Sequence, residues 1–349
     1  MYQFQCDYNE GAHQRIMERL METNLEQTVG YGEDHYCAQA RETIKKTIGR
    51  DDVDVHFLVG GTQANATVIS SVLRPYQGVI SATTGHINVH ETGAIEHGGH
   101  KVLALNCENG LLSAESIRKA MEEHLAEDGP EHTVQPGMVY LSCPAENGLI
   151  YTKAELKEIS DYCHANGLYL FIDGARMGYG LQAVNCDFTL ADLAQLCDVF
   201  YIGGTKVGAL FGEAVVFNNK EMQRSFRYAI KQHGGMLAKG RLLGIQFAEL
   251  LRGGNDCLYF RLAAHAVAMA ARIKKSFKDR GIEMWNDSTT NMQFPILSKK
   301  QIEFLSQEFS FERWGVHDSE HDVVRFCTSW ATREESVEKL CRAIESMPS

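Results

Sequence analysis

The sequence predicts an α/β protein with a mainly parallel central sheet flanked by helices, followed by a smaller α+β C-terminal domain. Three observations carry that prediction. From about Val53 to Phe217, short apolar runs alternate with amphipathic helical patterns, the β-then-α rhythm of a parallel sheet. LYLFID (168–173) and DVFYIG (198–203) are almost wholly apolar, as strands buried on both faces are. Glycines, a carboxylate and a lysine stand at the ends of such runs, where open α/β sheets place their ligands.

The elements follow in order. After an N-terminal helical segment, VDVHFLV (53–59) reads as a strand and TQANATVISSVLR (62–74) as a helix. GVISA (78–82), HKVLAL (100–105) and GMVYLS (137–142) are further strands. KAELKEISDYCHANG (153–167) is an amphipathic helix with Leu156, Ile159 and Cys163 on one face, and Gly167 suits its C-terminal stop. A long helical pattern runs from about Lys220 to Leu251, interrupted at HGG (233–235). RGGN (252–255) reads as a hinge, which divides a large domain at 1–252 from a small one at 253–349. The small domain mixes helices (258–280, 332–346) with the short strands MQFPIL (292–297) and VVRFC (323–327).

Composition narrows the function. The 349 residues are 44% hydrophobic and 23% charged, ordinary for a globular protein. A net charge of −11 argues against nucleic acid or an anionic membrane as partner, though not against a small anion in a local pocket. Ten cysteines without a CxxC pair fit reduced thiols rather than a disulfide framework or a zinc site, and no metal is expected. MYQFQCDYNEGAH lacks the basic start and apolar stretch of a signal peptide, and no run approaches the ~20 apolar residues of a membrane span. The expectation is a soluble cytoplasmic enzyme.

Three strand ends carry chemistry. FLVGGTQAN places two glycines before Thr62 at a helix start. Such a turn either cradles a phosphate on exposed amides or is a plain Gly-Gly turn with a threonine cap. In LYLFIDGARMGYG, Asp173 either caps the following helix or pairs with a buried cation such as a protonated pyridine nitrogen. In VFYIGGTKVGALFG (199–212), Lys206 follows Gly203, Gly204 and Thr205. A lysine among such neighbours is either a surface residue on a turn or a desolvated amine able to attack a carbonyl. Phosphate cradle, carboxylate and lysine in that order suit pyridoxal 5′-phosphate. GYGLQA (178–183) follows a helix start and fails as a dinucleotide fingerprint, and GGTK lacks P-loop spacing.

With GHINVHETGAI (85–95) between them, GGTQAN, FIDGAR and YIGGTK resemble the threonine aldolase group of β-eliminating lyases. The similarity runs from YGEDHYCAQA (31–40) to VRFCTSWAT (324–332). It implies the aspartate-aminotransferase-type fold (fold type I) and aldol cleavage of threonine or allo-threonine to glycine and acetaldehyde. Carried over residue by residue, it makes Lys206 the lysine that binds the cofactor aldehyde and Asp173 the partner of the ring nitrogen. Gly61, Thr62 and Thr205 fall on cofactor-binding positions, and His86 on the histidine that stacks on the ring. Arg176 and Arg325 match arginines around the substrate carboxylate and the cofactor's ring oxygen, a job suited to a planar guanidinium. From its context alone, Arg325 also reads as a solvated strand-end charge. The resemblance implies a homodimer or homotetramer with shared active sites, Tyr31 reaching one of them and Lys239 serving likewise.

Two departures bear on mechanism. Where many relatives carry a histidine in an ENTHN-like segment, this chain reads SCPAENGLIYT (142–152), with Pro144 and Glu146. Where many carry an arginine after a GGM turn, it has Leu237, and Lys239 is the nearest cation. His90, four residues after His86, would share a helical face with it and supply the missing general base, unless it is a hydrogen-bonded structural residue. Glu91, His97 and His100 make the stretch rich in titratable groups. The alternatives are pyridoxal phosphate-dependent β-elimination on a β-substituted amino acid and a cofactor-binding homologue without turnover.

Overall fold

The computed structural model describes residues 1–348. Seven strands build the main sheet: β1 (Asp54–Leu58), β2 (Gln77–Ala82), β3 (Val102–Leu105), β4 (Gln135–Ser142), β5 (Tyr169–Asp173), β6 (Val199–Gly203) and β7 (Glu213–Phe217). Their order is β1-β7-β6-β5-β4-β2-β3. All pairs are parallel except those of β7, which runs antiparallel to β1 and to β6. Six carboxyl ends and the start of β7 therefore share one edge, and the site forms there.

Alternate side chains along a strand face opposite layers. On β6, Phe200 and Ile202 join one core cluster and Val199 and Tyr201 the other. The first layer is packed by α1 (Gln14–Glu22), α2 (His35–Ile48), α5 (Lys153–Ala165) and α6 (Arg241–Leu251) through Ile16, Ile44, Ile159 and Phe247. The second is packed by α3 (Gly61–Val72), through Ala64, Val68 and Ile69. Burial on both faces is why these strands read as unbroken apolar runs. The helix α4 (Ala114–Leu125) lies between β3 and β4 in sequence.

The helix expected over 153–167 is α5, started by a capping box of Thr152 and Glu155 and followed by Gly167 at φ +69°. The long pattern over 220–251 is not one helix. It resolves into Phe226–Gln232 and α6, because Ser225 (φ +67°) and Gly234 (φ +71°) take left-handed backbone that no helix contains. The C-terminal unit holds α7 (Leu258–Asp279), β8 (Met292–Gln293), β9 (Ile296–Ser298), β10 (Glu312–Val316), β11 (His321–Cys327) and α8 (Glu334–Ser346). β11 pairs antiparallel with β8, β9 and β10, and Pro295 splits the expected strand 292–297 into β8 and β9. We propose Arg252/Gly253 as the division between the units, with residues 2–4 crossing it. Tyr2–Gln3 pairs with Phe309–Ser310, and Phe4 joins the cluster of Phe309, Phe326 and Ile344. No helix is long and apolar enough to cross a membrane among the described residues.

Candidate active site

The ends of β5 and β6 touch. A Cβ on Gly174 would stand 1.9 Å from the carbonyl oxygen of Tyr201, and one on Gly203 2.5 Å from that of Ala175. Only glycine allows this approach, which brings Asp173 and Lys206 to one cavity of about 180 Å³. Gly61, Thr62, His86, Glu146, Arg176, Thr205 and Glu213 also line it.

Asp173 is buried and its carboxylate is held by four donors. Tyr201 Oη donates to Oδ1 at 2.5 Å and the Ala175 amide at 3.0 Å; Tyr140 Oη donates to Oδ2 at 2.5 Å and Asn65 Nδ2 at 3.0 Å. Burial alone would raise its pKa, but His86 and these hydrogen bonds bring it below the ordinary carboxylate value. Asp173 is therefore an anion at the cavity floor. It does not cap the following helix, Met177–Leu181, which starts after Arg176 without a side-chain cap; its only bond in that turn is the one from the Ala175 amide.

Lys206 is half-buried because its side chain opens into the cavity. Desolvation and then the Arg176 charge lower its pKa, against the opposing pull of Asp7, Asp173 and Glu213. Beside it, Glu213 is buried, accepts a 2.8 Å hydrogen bond from Thr205 Oγ1 on Oε1, and has no partner for Oε2 among the described residues. Burial pushes this carboxyl up to about 8, against the Thr205 bond and the Lys206 charge.

The phosphate-type cradle is the start of α3. Gly60 caps it with no side-chain hydrogen bond, so among the described residues no side chain caps the first-turn amides, which leaves the start of this 12-residue helix open to an anion. On the opposite wall, the His86 amide donates to Glu146 Oε1 at 2.8 Å, and Ser142 Oγ to the same oxygen at 2.5 Å. His86 Nδ1 lies 2.7 Å from Oε1 of Glu91, which also accepts from Asn65. Burial raises the pKa of Glu146 despite these donors.

A mouth of about 320 Å³ opens beside the inner cavity and shares His86, Glu146, Arg176 and Lys206 with it. Tyr8, His90, Glu312, Trp314 and Arg325 complete its lining. Arg176 holds Asp7 through two parallel bonds, Nε to Oδ2 at 2.7 Å and Nη2 to Oδ1 at 3.0 Å. The Asp7 charge raises the Arg176 pKa although burial acts to lower it. Arg325 is not a solvated strand-end charge: its side chain is 11% exposed, within β11. His90 is exposed at the mouth, its ring centroid 5.5 Å from that of His86. Partial desolvation at the mouth and then the His86 charge lower its pKa.

Lys206, Asp173, Gly61, Thr62, Thr205, His86, His90, Arg176 and Arg325 thus all line the two joined cavities. Tyr31 does not: it lines a separate small cleft with Leu237 and is 49% exposed. Lys239 is exposed and lines neither cavity of the site. Sequence reading missed Asp7, Tyr140, Tyr201, Glu213 and Glu312. Tyr140, Asp173 and Tyr201 share one sheet face at two-residue spacing, a signal visible once Ser142 is set opposite Asp173.

These residues fit pyridoxal phosphate. An uncapped helix start answers the phosphate, a buried anion answers a protonated ring nitrogen, and a desolvated lysine answers the aldehyde.

Comparison with known proteins agrees. Residues 3–300 match the family model described as "Beta-eliminating lyase". The low specificity L-threonine aldolase of a Pseudomonas species is 31% identical, covering 99% of this chain and 98% of its own length. That of Pseudomonas aeruginosa is 30% identical, with 98% and 96% covered. The Leishmania major threonine aldolase structure superposes with a TM-score of 0.95 at 42% identity, over 99% of both chains. A histidinol-phosphate aminotransferase from Clostridium acetobutylicum, at 14% identity and TM-score 0.74, shares the fold.

Proposed function

The chain belongs to the β-eliminating lyase family, and on that premise we propose how its side chains divide the work of cleaving threonine. The protein is a pyridoxal phosphate-dependent lyase that cleaves threonine to glycine and acetaldehyde. What supports the residue assignment is one observation: Asp173, Lys206 and the open start of α3 meet in a single cavity whose mouth carries two arginines.

Gly61, Thr62, Thr205 and the α3 amides would hold the phosphate, Asp173 the ring nitrogen, His86 the ring and Lys206 the aldehyde. Bound there, the cofactor supplies an electron sink for the Cα–Cβ bond. Lys206 is suited to its part by a lowered pKa, since the neutral amine is the form that attacks a carbonyl and accepts a proton at Nζ. Arg325 and Arg176 orient the substrate carboxylate, which fixes the bond that can break. His90 accepts the proton of the substrate β-hydroxyl oxygen, and its lowered pKa keeps it neutral at physiological pH. Glu91 holds the His86 ring in place.

A second reading gives the hydroxyl proton to Glu146, which lines both cavities and whose pKa burial raises. Tyr31, outside its own site and half exposed, serves a neighbouring protomer in a homodimer or homotetramer located in the cytoplasm. Borohydride reduction of the purified enzyme should fix the cofactor on Lys206, and L-threonine should yield glycine and acetaldehyde. Pyruvate and ammonia as the products of a β-substituted amino acid, in the absence of that cleavage, would remove the reading.

A further inference from the structure

Glu312 and Arg325 stand directly opposite each other on β10 and β11. Their side chains meet as an ion pair between Oε2 and Nη2 at the mouth of the site. The two partners are unequally held. Arg325 is 11% exposed, its guanidinium carbon lies 5.2 Å from the Trp314 ring centroid, and Nη2 also donates to the Gln5 carbonyl at 3.2 Å. The Glu312 side chain is 38% exposed. The cation is therefore fixed, and the anion is the member that can turn out into water.

The pairing is also incomplete. Arg325 Nε is buried without an acceptor among the described residues. A pair built only for stability would satisfy both partners, since a buried donor left alone costs free energy. Here the guanidinium keeps unused hydrogen-bonding capacity while one of its nitrogens is taken by a carboxylate from its own chain.

We propose that Glu312 is a built-in competitor for the substrate carboxylate, occupying Arg325 until an amino acid displaces it. The inference rests on the assignment of Arg325 to the substrate carboxylate. A binding site that is free only a fraction of the time weakens every ligand by that fraction. Glu312 thereby sets the concentration range in which the enzyme responds. It also keeps simple anions from resting in a mouth that holds Arg176, Lys206 and Arg325 together. Glu312 is a specificity-setting residue and takes no part in bond cleavage.

The test uses the holoenzyme, L-threonine kinetics and calorimetric titration with 3-hydroxybutanoate, which has the carboxylate and hydroxyl of threonine but no amine. Glu312→Gln should lower KM by about tenfold, keep kcat within about twofold and tighten 3-hydroxybutanoate by the same factor as KM. Glu312→Asp should keep part of the competition. Suppose Arg325→Gln abolishes probe binding while Glu312→Gln leaves KM and probe affinity unchanged or weaker. The competition is then overturned and the role of Arg325 stands. If Arg325→Gln changes neither quantity, the assignment of Arg325 fails and the competition fails with it.

Discussion

His86 Nδ1 lies 2.7 Å from Oε1 of Glu91, whose side chain is wholly buried. The same oxygen accepts from Asn65 Nδ2 at 2.7 Å, and that amide also donates to Asp173 Oδ2 at 3.0 Å. One carboxylate thus fixes the orientation of the ring at the cavity wall and of the amide on the cavity-floor anion. In Glu91→Gln, an amide must replace an anion between two donors. We expect kcat to fall about tenfold and the cofactor to dissociate more readily, because a charge-assisted bond contributes roughly 1.5–3 kcal/mol. Fluorescence titration of the apoprotein with pyridoxal phosphate would measure the second effect. Unchanged affinity and turnover would show the pair to be incidental.

The proton of the substrate hydroxyl separates His90 from Glu146. Removing a general base costs about 10²–10⁴ in rate. His90→Asn should lose that much in kcat and retain the cofactor. The sign of the pH effect follows from the depressed pKa: the neutral, competent ring is lost only as pH falls through a value below 6.5. The wild-type rate should therefore decline on that acid side, and the variant's residual rate should lose this limb. Should Glu146→Gln show the larger loss and His90→Asn near-normal turnover, the assignment passes to Glu146.

Much of the sheet was legible because strands buried on both faces leave continuous apolar runs, as β5 and β6 do. The direction of β7 was not: EAVVF carries no mark of being antiparallel, yet its reversal puts Glu213 at the site edge. Lys206 and Asp173 stood out because glycines flank them where the strand ends touch. Tyr140 and Tyr201 look like core residues, and only strand register brings their hydroxyls to Asp173. Asp7 was hidden by distance, since its partner Arg176 lies 169 residues away. Sequence periodicity reports local faces; it does not report which distant charge completes a buried one.

Asp7 tests how far that distant charge matters. It is fully buried, takes two bonds from Arg176 and one of 3.0 Å from Asn291, and so ties the N-terminal segment to both units. Asp7→Ala leaves the Arg176 cation buried without its counter-ion, which costs about 3–5 kcal/mol. Chemical denaturation at pH 7 should show that loss. The Asp7 pKa is depressed by Arg176 and Lys206 although burial opposes it. Its stabilisation is thus present above 3.8 and lost as pH falls below it, so wild type and variant should converge in acid. A constant gap down to pH 2 would contradict the charge argument.

Glu213 gives the opposite pH dependence. Its carboxyl is raised from 4.5 to about 8 by burial, so the folded chain holds a proton that the unfolded chain releases. Stability from this group is complete below 4.5 and declines as pH rises toward 8, by on the order of a few kcal/mol. Glu213→Gln has the shape of the protonated acid, keeps an oxygen for Thr205 Oγ1, and cannot ionise. Unfolding of the two apoproteins in urea at pH 5, 6.5 and 8 should show similar stability at the lowest pH. At pH 8 the variant should be the more stable protein. Parallel declines would place the ionised form of Glu213 in the folded state, paired with Lys206, and would reverse the reading of this corner of the site.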